Sequence, residues 1–298
     1  MASIREWNNS RLTRLQMCGE RFRRHDIEGE PDVPTPSLIR GSTIHAVAKI
    51  ALRRKLGGKP NSFLPTLEEA RDLAAEDFEQ RWDAQEIRLV EEDEEDSAGS
   101  LALAKAEAKD FAVALSAYHV ETLAPILRPV AVERKIIVRP RDSDLTIHGT
   151  LDVITQPEPT LAEPIAEALA PFAPSPQDTI RDLKTSQKSP NKEAADRSQQ
   201  LTMYAMIRAA EVGALPEALA LDHLVRTPKR GEMKAITQVT ARDAEDIKAL
   251  VARINAAVEA VNRGVFIPAD PASWWCSKKW CSYHNTCPYV SRGKRPAA

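Results

Sequence analysis

The chain has 298 residues, 43% of them apolar and 28% charged, which suits one large globular domain with embellishments and excludes a low-complexity chain. A formal net charge of −2 excludes a uniformly basic surface, so any contact with nucleic acid must come from local clusters. The opening "MASIREWNNSRLTRLQ" lacks the apolar core of a secretory signal, and no apolar run approaches membrane-spanning length; a cytoplasmic protein without membrane contacts is expected.

The first segment, "SRLTRLQMCGERFRRHDIEG", sets Leu12, Leu15 and Phe22 at helical spacing among Arg11, Arg14, Arg21, Arg23 and Arg24. A Pro-rich loop at 31–36 precedes "SLIRGSTIHAVAKIALRRKLGG", a helix stopped by Gly57 and Gly58. Helices over 66–90 and 100–124 flank the acidic run "EEDEED" at 91–96 and together read as a helical insertion over 60–125. The period then changes. "VAVERKIIV" (130–138) is rich in β-branched residues, and "LTIHGTLDVI" (145–154) alternates. That alternation predicts Leu145, Ile147, Leu151 and Val153 on one face, with His148, Thr150 and Asp152 on the other. The Pro- and Ala-dense stretch at 156–178 reads as a flexible insertion before a strand "TIRDLK". A helix over 193–212, strands "EALALDHLV" and "MKAITQVT", and a helix over 241–263 complete the order. The fold class is therefore α/β, a mixed sheet flanked by helices, in one domain spanning 1–298 with a cysteine-rich tail at 265–290.

Asp182 and Lys184 lie two apart on a strand and so share a face. Taken alone they are an ion pair of the common surface kind. If the strand carrying Asp152 is a neighbour, two carboxylates converge beside a lysine. Carboxylates held close repel, and a shared divalent cation resolves the repulsion. Such an ion polarises a phosphoryl oxygen and acidifies water, and a nearby ammonium can orient that water or neutralise developing charge.

With its neighbours the pair resembles the PD-(D/E)XK nuclease superfamily in its RecB-like branch, which includes iron–sulfur exonucleases of recombination helicase–nucleases and of CRISPR adaptation. "NSRLTRLQMCGERFR" resembles the N-terminal helix with its cysteine, and "GSTIH" the Gly-x-x-x-His motif. "VERKI" and "HGTLD" resemble the Glu strand and the Gly-x-x-Asp motif, "DLK" the Asp-x-Lys signature, and "QQLTMY" the Gln-x-x-x-Tyr motif. The resemblance implies a restriction-endonuclease-like core. It also implies a Mg²⁺ or Mn²⁺ ion held by His45, Asp152, Asp182 and the main-chain carbonyl of Leu183, with Lys184 positioning water. Glu133 has two readings, a support behind the ion or a strand-edge residue. Gln200 and Tyr204 share a helix face and either serve phosphate or metal site, or pack helix on sheet.

Three thiols within "WWCSKKWCSYHNTCP" point to a soft metal, and cysteine thiolates take zinc or iron–sulfur clusters. Cys18 adds a fourth to Cys276, Cys281 and Cys287. The resemblance implies a structural [4Fe–4S] cluster stapling the two ends of the chain; zinc is the alternative, with His284 a substitute ligand. "CSKKWC" carries four residues between its cysteines where the family usually has two. Trp274, Trp275 and Trp280 either shield the cluster or stack bases.

The expected activity is metal-dependent hydrolysis of DNA phosphodiesters, as an exonuclease on single strands or ends in recombination or repair. A helicase or recombination partner is expected with it. The rival reading is an inactive DNA-binding or scaffold subunit of a helicase–nuclease complex. Besides the arginines of the first segment, Arg226, Lys229, Arg230 and Lys234 and the basic run at 291–296 are candidate phosphate contacts, which would make binding sequence-independent and salt-sensitive.

Overall fold

The computed structural model describes residues 4–89, 97–141, 143–156, 178–227 and 231–290. The acidic run at 91–96, nearly all of the insertion expected at 156–178, Lys229, Arg230 and the basic run at 291–296 lie outside them. The elements run β1 (Glu6–Trp7), α1 (Asn9–Met17), α2 (Gly19–Phe22), a π-helical turn (Arg23–Ile27) and α3 (Pro36–Arg54). Then come α4 (Leu67–Asp83), α5 (Ser97–Thr122), β2 (Pro129–Val138), β3 (Thr146–Thr155) and β4 (Thr179–Ser186). The last are α6 (Gln199–Val212), β5 (Ala218–Arg226), β6 (Met233–Thr240) and α7 (Ala244–Asn262).

The six strands form one mixed sheet in the order β1-β3-β4-β5-β6, with β2 on the outer edge of β3. β4 and β5 are parallel; β2, β4 and β6 each run antiparallel to a neighbour. β3 shares its inner edge between two partners. Its Thr146–Ile147 end pairs with β1, and its Val153–Thr155 end pairs with β4. The stretch 148–152 between them pairs with neither, so the sheet opens there.

One face packs on α1, α6 and α7 through Trp7, Leu12, Phe22, Leu201, Ile207, Leu250 and Ile254. The other packs on α3, α4 and α5, where Ile44, Phe78, Phe111 and Leu115 meet Leu183 and Leu224 of the sheet. Burying a side chain of this size is worth about 1.5–3 kcal/mol, so both layers stabilise the sheet substantially. Of the 60–125 region, α5 shares this second face of the sheet with α3, and α4 packs against both helices.

Three expectations are corrected by the coordinates. The helix expected at 193–212 begins at Gln199, because the Ser198 hydroxyl accepts the Leu201 N–H (3.3 Å) as an N-cap and 192–197 turn instead. The helix expected to reach 90 ends at Asp83. Strict alternation along β3 fails at its end: Ile147, Leu151 and Ile154 join the α6–α7 side, whereas Val153 packs with Val47, Ala51 and Leu52 on the α3 side. The break falls at Asp152.

The N-terminal and C-terminal segments meet at Gly19. Its N–H donates to the Ile267 carbonyl (2.7 Å), and a Cβ there would stand 2.5 Å from backbone atoms of Phe266 and Ile267. Gly19→Ala should therefore lower the free energy of unfolding by about 2 kcal/mol through overpacking against backbone. Urea unfolding followed by circular dichroism measures this; an unchanged midpoint would mean the terminal segments are not docked as described.

Candidate active site

Where β3 leaves β4, one β4 amide loses its strand partner. The Leu183 N–H, two residues past the last β3–β4 pair (Val153–Arg181), is taken by the Asp152 side chain (Oδ2, 3.0 Å). The carboxylate so fills the opening of the sheet. His45, on α3 across the opening, brings Nδ1 to 3.3 Å of the same oxygen. Burial alone would lower the pKa of His45, but the bond to Asp152 and its charge outweigh that, and the pKa lies above the ordinary histidine value.

Asp182 and Lys184 of β4 point together to the α6 side. The Lys184 ammonium lies 2.7 Å from Asp182 Oδ2 and donates to Gln200 Oε1 (2.7 Å). The Gln200 amide donates in turn to Asp182 Oδ1 (2.8 Å) and to the Tyr204 hydroxyl (2.6 Å). Gln200 therefore fixes the carboxylate and the ammonium relative to each other from a rigid helix. Tyr204 is buried, and both it and Ile207 lie over Gly149, where a Cβ would come within 2.7 Å of Ile207 Cδ1. Close approach of helix and strand at this glycine sets the height of the Gln200–Tyr204 turn.

Asp182 is almost wholly buried, and burial raises its pKa to about 6 against the pull of Lys184, with nearby Asp152 adding to the rise. Its Oδ2 is met by the Lys184 ammonium (2.7 Å). The imidazole of His45 and the two carboxylates of Asp152 and Asp182 form a donor set that suits Mg²⁺ or Mn²⁺. In the present arrangement no group of three or more His, Cys, Asp or Glu among the described residues is placed to hold one ion. Lys184 supplies the positive charge that Asp182 requires.

Glu133 stands opposite Asp152, between the pairs Val132–Val153 and Arg134–Leu151. Among the described residues it is the one non-glycine with a left-handed backbone (φ 54°), a conformation that costs on the order of 1 kcal/mol and clusters at functional sites. Its carboxylate lies 3.9 Å from the Lys49 ammonium, one helical turn beyond His45. Glu133, His45 and Lys49 line a cavity of about 400 Å³ with Ser37, Gly41 and Ser42, which is wide enough to admit a phosphodiester group.

Sequence patterns gave no sign of the groups behind this site. His119 of α5 is fully enclosed; burial drops its pKa to about 4, so the ring is neutral, and its Nδ1 has no partner. It shares a small cavity with His45, Asp152, Leu183 and Asp222. Asp222 is held by a two-pronged bond from Arg181 (2.8 and 3.1 Å) and by Thr237 (2.6 Å). Lys49 was detectable by its four-residue spacing from His45; His119 carried no signal.

Between the terminal segments, Cys18, Cys276, Cys281 and Cys287 line a single cavity with Met17, Trp275, Tyr283 and His284. The N–H groups of Ala269 (3.3 Å) and Arg21 (3.5 Å) point at the Cys18 sulfur. The indole of Trp275 donates to the Met17 carbonyl (2.9 Å), and the Tyr283 hydroxyl to that of Glu30 (2.7 Å). Burial raises the Cys276 and Cys281 thiols, and the neighbouring thiols add to the rise at Cys276.

The basic face expected from the first segment is absent. Arg11 and Arg14 bind Asp26 (3.1 and 2.5 Å), Arg21 binds Asp32 (2.8 Å), Arg23 binds Glu20 and Glu28, and Arg24 binds Glu30. Glu20, Asp26 of the π-helical turn, and Glu28, Glu30 and Asp32 after it fold onto these arginines and neutralise them. Arg226 is likewise paired with Asp110 (2.7 Å), and Lys234 lies 3.7 Å from Glu232.

No helix among the described residues is long and apolar enough to cross a membrane. No curated protein matches the chain. A solved structure, "Crystal structure of SSO0001", aligns over 97% of this chain and 88% of its own at 14% identity and a TM-score of 0.36, a likeness too low to carry weight. The family model of the PD-(D/E)XK nuclease superfamily matches residues 6–162 and 174–288. Its members are mostly nucleases, and Mg²⁺ or Mn²⁺ is their usual metal. With nearly the whole length matched, this chain belongs to the PD-(D/E)XK nuclease superfamily.

Proposed function

We propose that the protein is a divalent-metal-dependent deoxyribonuclease of the RecB-like, iron–sulfur type, acting as an exonuclease on single strands or ends in recombination or repair. The observation that carries the reading is the joining of Asp182, Lys184 and Gln200 beside Asp152 and His45 at the opening of the sheet. His45, Asp152, Asp182 and the Leu183 carbonyl would hold the ion. A divalent ion there supplies Lewis acidity toward water and a phosphoryl oxygen.

The chain's own groups do the rest. Lys184, tethered by Gln200, offers a positive charge to the phosphate oxygens and a donor to the attacking water. The Leu183 N–H keeps Asp152 in the opening, and Gln200 keeps Asp182 turned toward it. Glu133, braced by Lys49, closes the far side of the cleft.

An iron–sulfur cluster is the staple proposed for the two terminal segments; as placed, no three of the cysteines among the described residues are set to hold a metal, so the cluster would have to draw them together. All four cysteines line one cavity, and main-chain N–H groups directed at Cys18 would stabilise a thiolate. Cys18→Ser should release iron from protein purified anaerobically and lower its melting temperature, read by iron analysis and calorimetry. A native chain that carries one zinc and no iron would overturn the assignment.

Lys184→Ala should cut single-turnover cleavage of end-labelled DNA by about 10²–10³-fold with Mn²⁺ present, the range seen when one charge-stabilising donor is lost. Cleavage at the native rate would contradict the reading.

Asp182 also predicts a pH effect in the metal-free protein. Its folded pKa, about 6, lies above the value for an unfolded aspartate, so its contribution favours folding below about pH 4 and turns against folding as pH rises through 6. In EDTA at about pH 8, Asp182→Asn should therefore stabilise the fold by about 3 kcal/mol and lose this advantage near pH 4, while abolishing cleavage. Thermal melts across pH check the first part; equal destabilisation at both pH values would refute it.

A further inference from the structure

Two of the three tail tryptophans take no part in enclosing the cysteine cavity. Trp275 lines it and is tied to Met17, but Trp274 and Trp280 lie outside, 61% and 48% exposed. Their rings meet edge to face at 5.0 Å and 81°, and Trp274 meets Trp275 in the same way at 5.4 Å and 82°, so three indoles are joined with the outer two exposed. Exposed lysines 278 and 279 sit between them in sequence, and neither ammonium is paired with a carboxylate among the described residues. The stretch from Pro271 to Val290 contains no Asp or Glu at all. Since the arginines of the first segment are neutralised internally, these lysines are among the cations left free to meet phosphate.

The patch is also held rigidly and in the right place. The Arg88 guanidinium donates to the carbonyls of Lys278 and Lys279, and the Arg88 N–H donates to the Pro34 carbonyl (2.9 Å). Ser282 adds a bond to the Val33 carbonyl (3.4 Å). Residues 33 and 34 lead directly into α3, whose Ser37, Gly41 and Ser42 line the cleft that ends on His45. From Pro36 to His45 the helix rises about 14 Å, so the patch is tied to the loop that begins α3, about that length of helix from His45.

We propose that Trp274 and Trp280, with Lys278 and Lys279, form a stacking platform that receives a single DNA strand and feeds it along α3 to the active site. Every base has a π-face, so edge-to-face indoles with flanking ammonium groups accept a strand without reading its sequence. A duplex keeps its bases stacked inside and cannot use the indoles this way. The proposal deepens the nuclease reading and rests on it for the direction of the strand.

The test is binding of fluorescein-labelled oligo(dT), roughly twenty nucleotides long, to the full chain in EDTA, where no cleavage occurs. The pair Trp274→Ala and Trp280→Ala should weaken binding about 10-fold or more, and the pair Trp274→Phe and Trp280→Phe should restore most of it. Lys278→Ala with Lys279→Ala should reduce the slope of log K against log salt by about 1.4. If the alanine tryptophan pair does not fold, the phenylalanine and lysine pairs decide the matter. Alanine variants that bind as tightly as the native chain overturn the platform, as would a change in self-association with strand binding intact. A native chain that binds through these residues yet cuts nothing with Mn²⁺ would refute the nuclease reading and leave the platform standing.

Discussion

The structure turns on one unpaired stretch of sheet edge. β3 serves β1 at one end and β4 at the other, and the span between has no strand to bond. A buried N–H without an acceptor costs about 1–3 kcal/mol, so the Leu183 amide needs a substitute partner. Asp152 provides it, and in doing so a carboxylate is fixed in the sheet's interior beside a second one, Asp182. The electrostatic strain of that neighbourhood is relieved by Lys184 and Gln200 on one side and His45 on the other. A requirement of backbone hydrogen bonding thus creates a charged site at the point where the sheet opens to solvent.

Both faces of the sheet contribute to holding that site. α6 supplies Gln200 and Tyr204 and can approach closely because Gly149 has no side chain. α3 supplies His45 and Lys49 and forms one wall of the cleft. The enclosed His119 of α5 and the Arg181–Asp222 pair of β4 and β5 make a polar interior behind the reacting groups. The left-handed backbone at Glu133 lies at the same level of the sheet as Asp152, so both strands are distorted where chemistry is expected.

Much of this was legible in the residues and some was not. The strands could be located from β-branched and alternating runs, and the shared face of Asp182 and Lys184 follows from strand geometry alone. What sequence cannot carry is where a strand stops pairing. Strict alternation put Val153 with Leu151, but the irregularity at Asp152 sends Val153 to the other layer. Charge clusters mislead for a similar reason: five arginines look like a DNA-binding face until the chain folds Asp26, Asp32, Glu28 and Glu30 onto them. Cys18 and the tail cysteines lie far apart in sequence, and only folding shows that they face one cavity. The division of labour among the tryptophans, one inward and two outward, likewise depends on loop geometry that no spacing encodes.

The central claim is that His45, Asp152 and Asp182 act as one donor set for a divalent ion. Mn²⁺ titration of the full chain, followed by electron paramagnetic resonance, tests it most directly. The account predicts one tight Mn²⁺ per chain at this site, strongly weakened by Asp152→Asn and by His45→Ala alike. Manganese binding that survives both substitutions undiminished would contradict it.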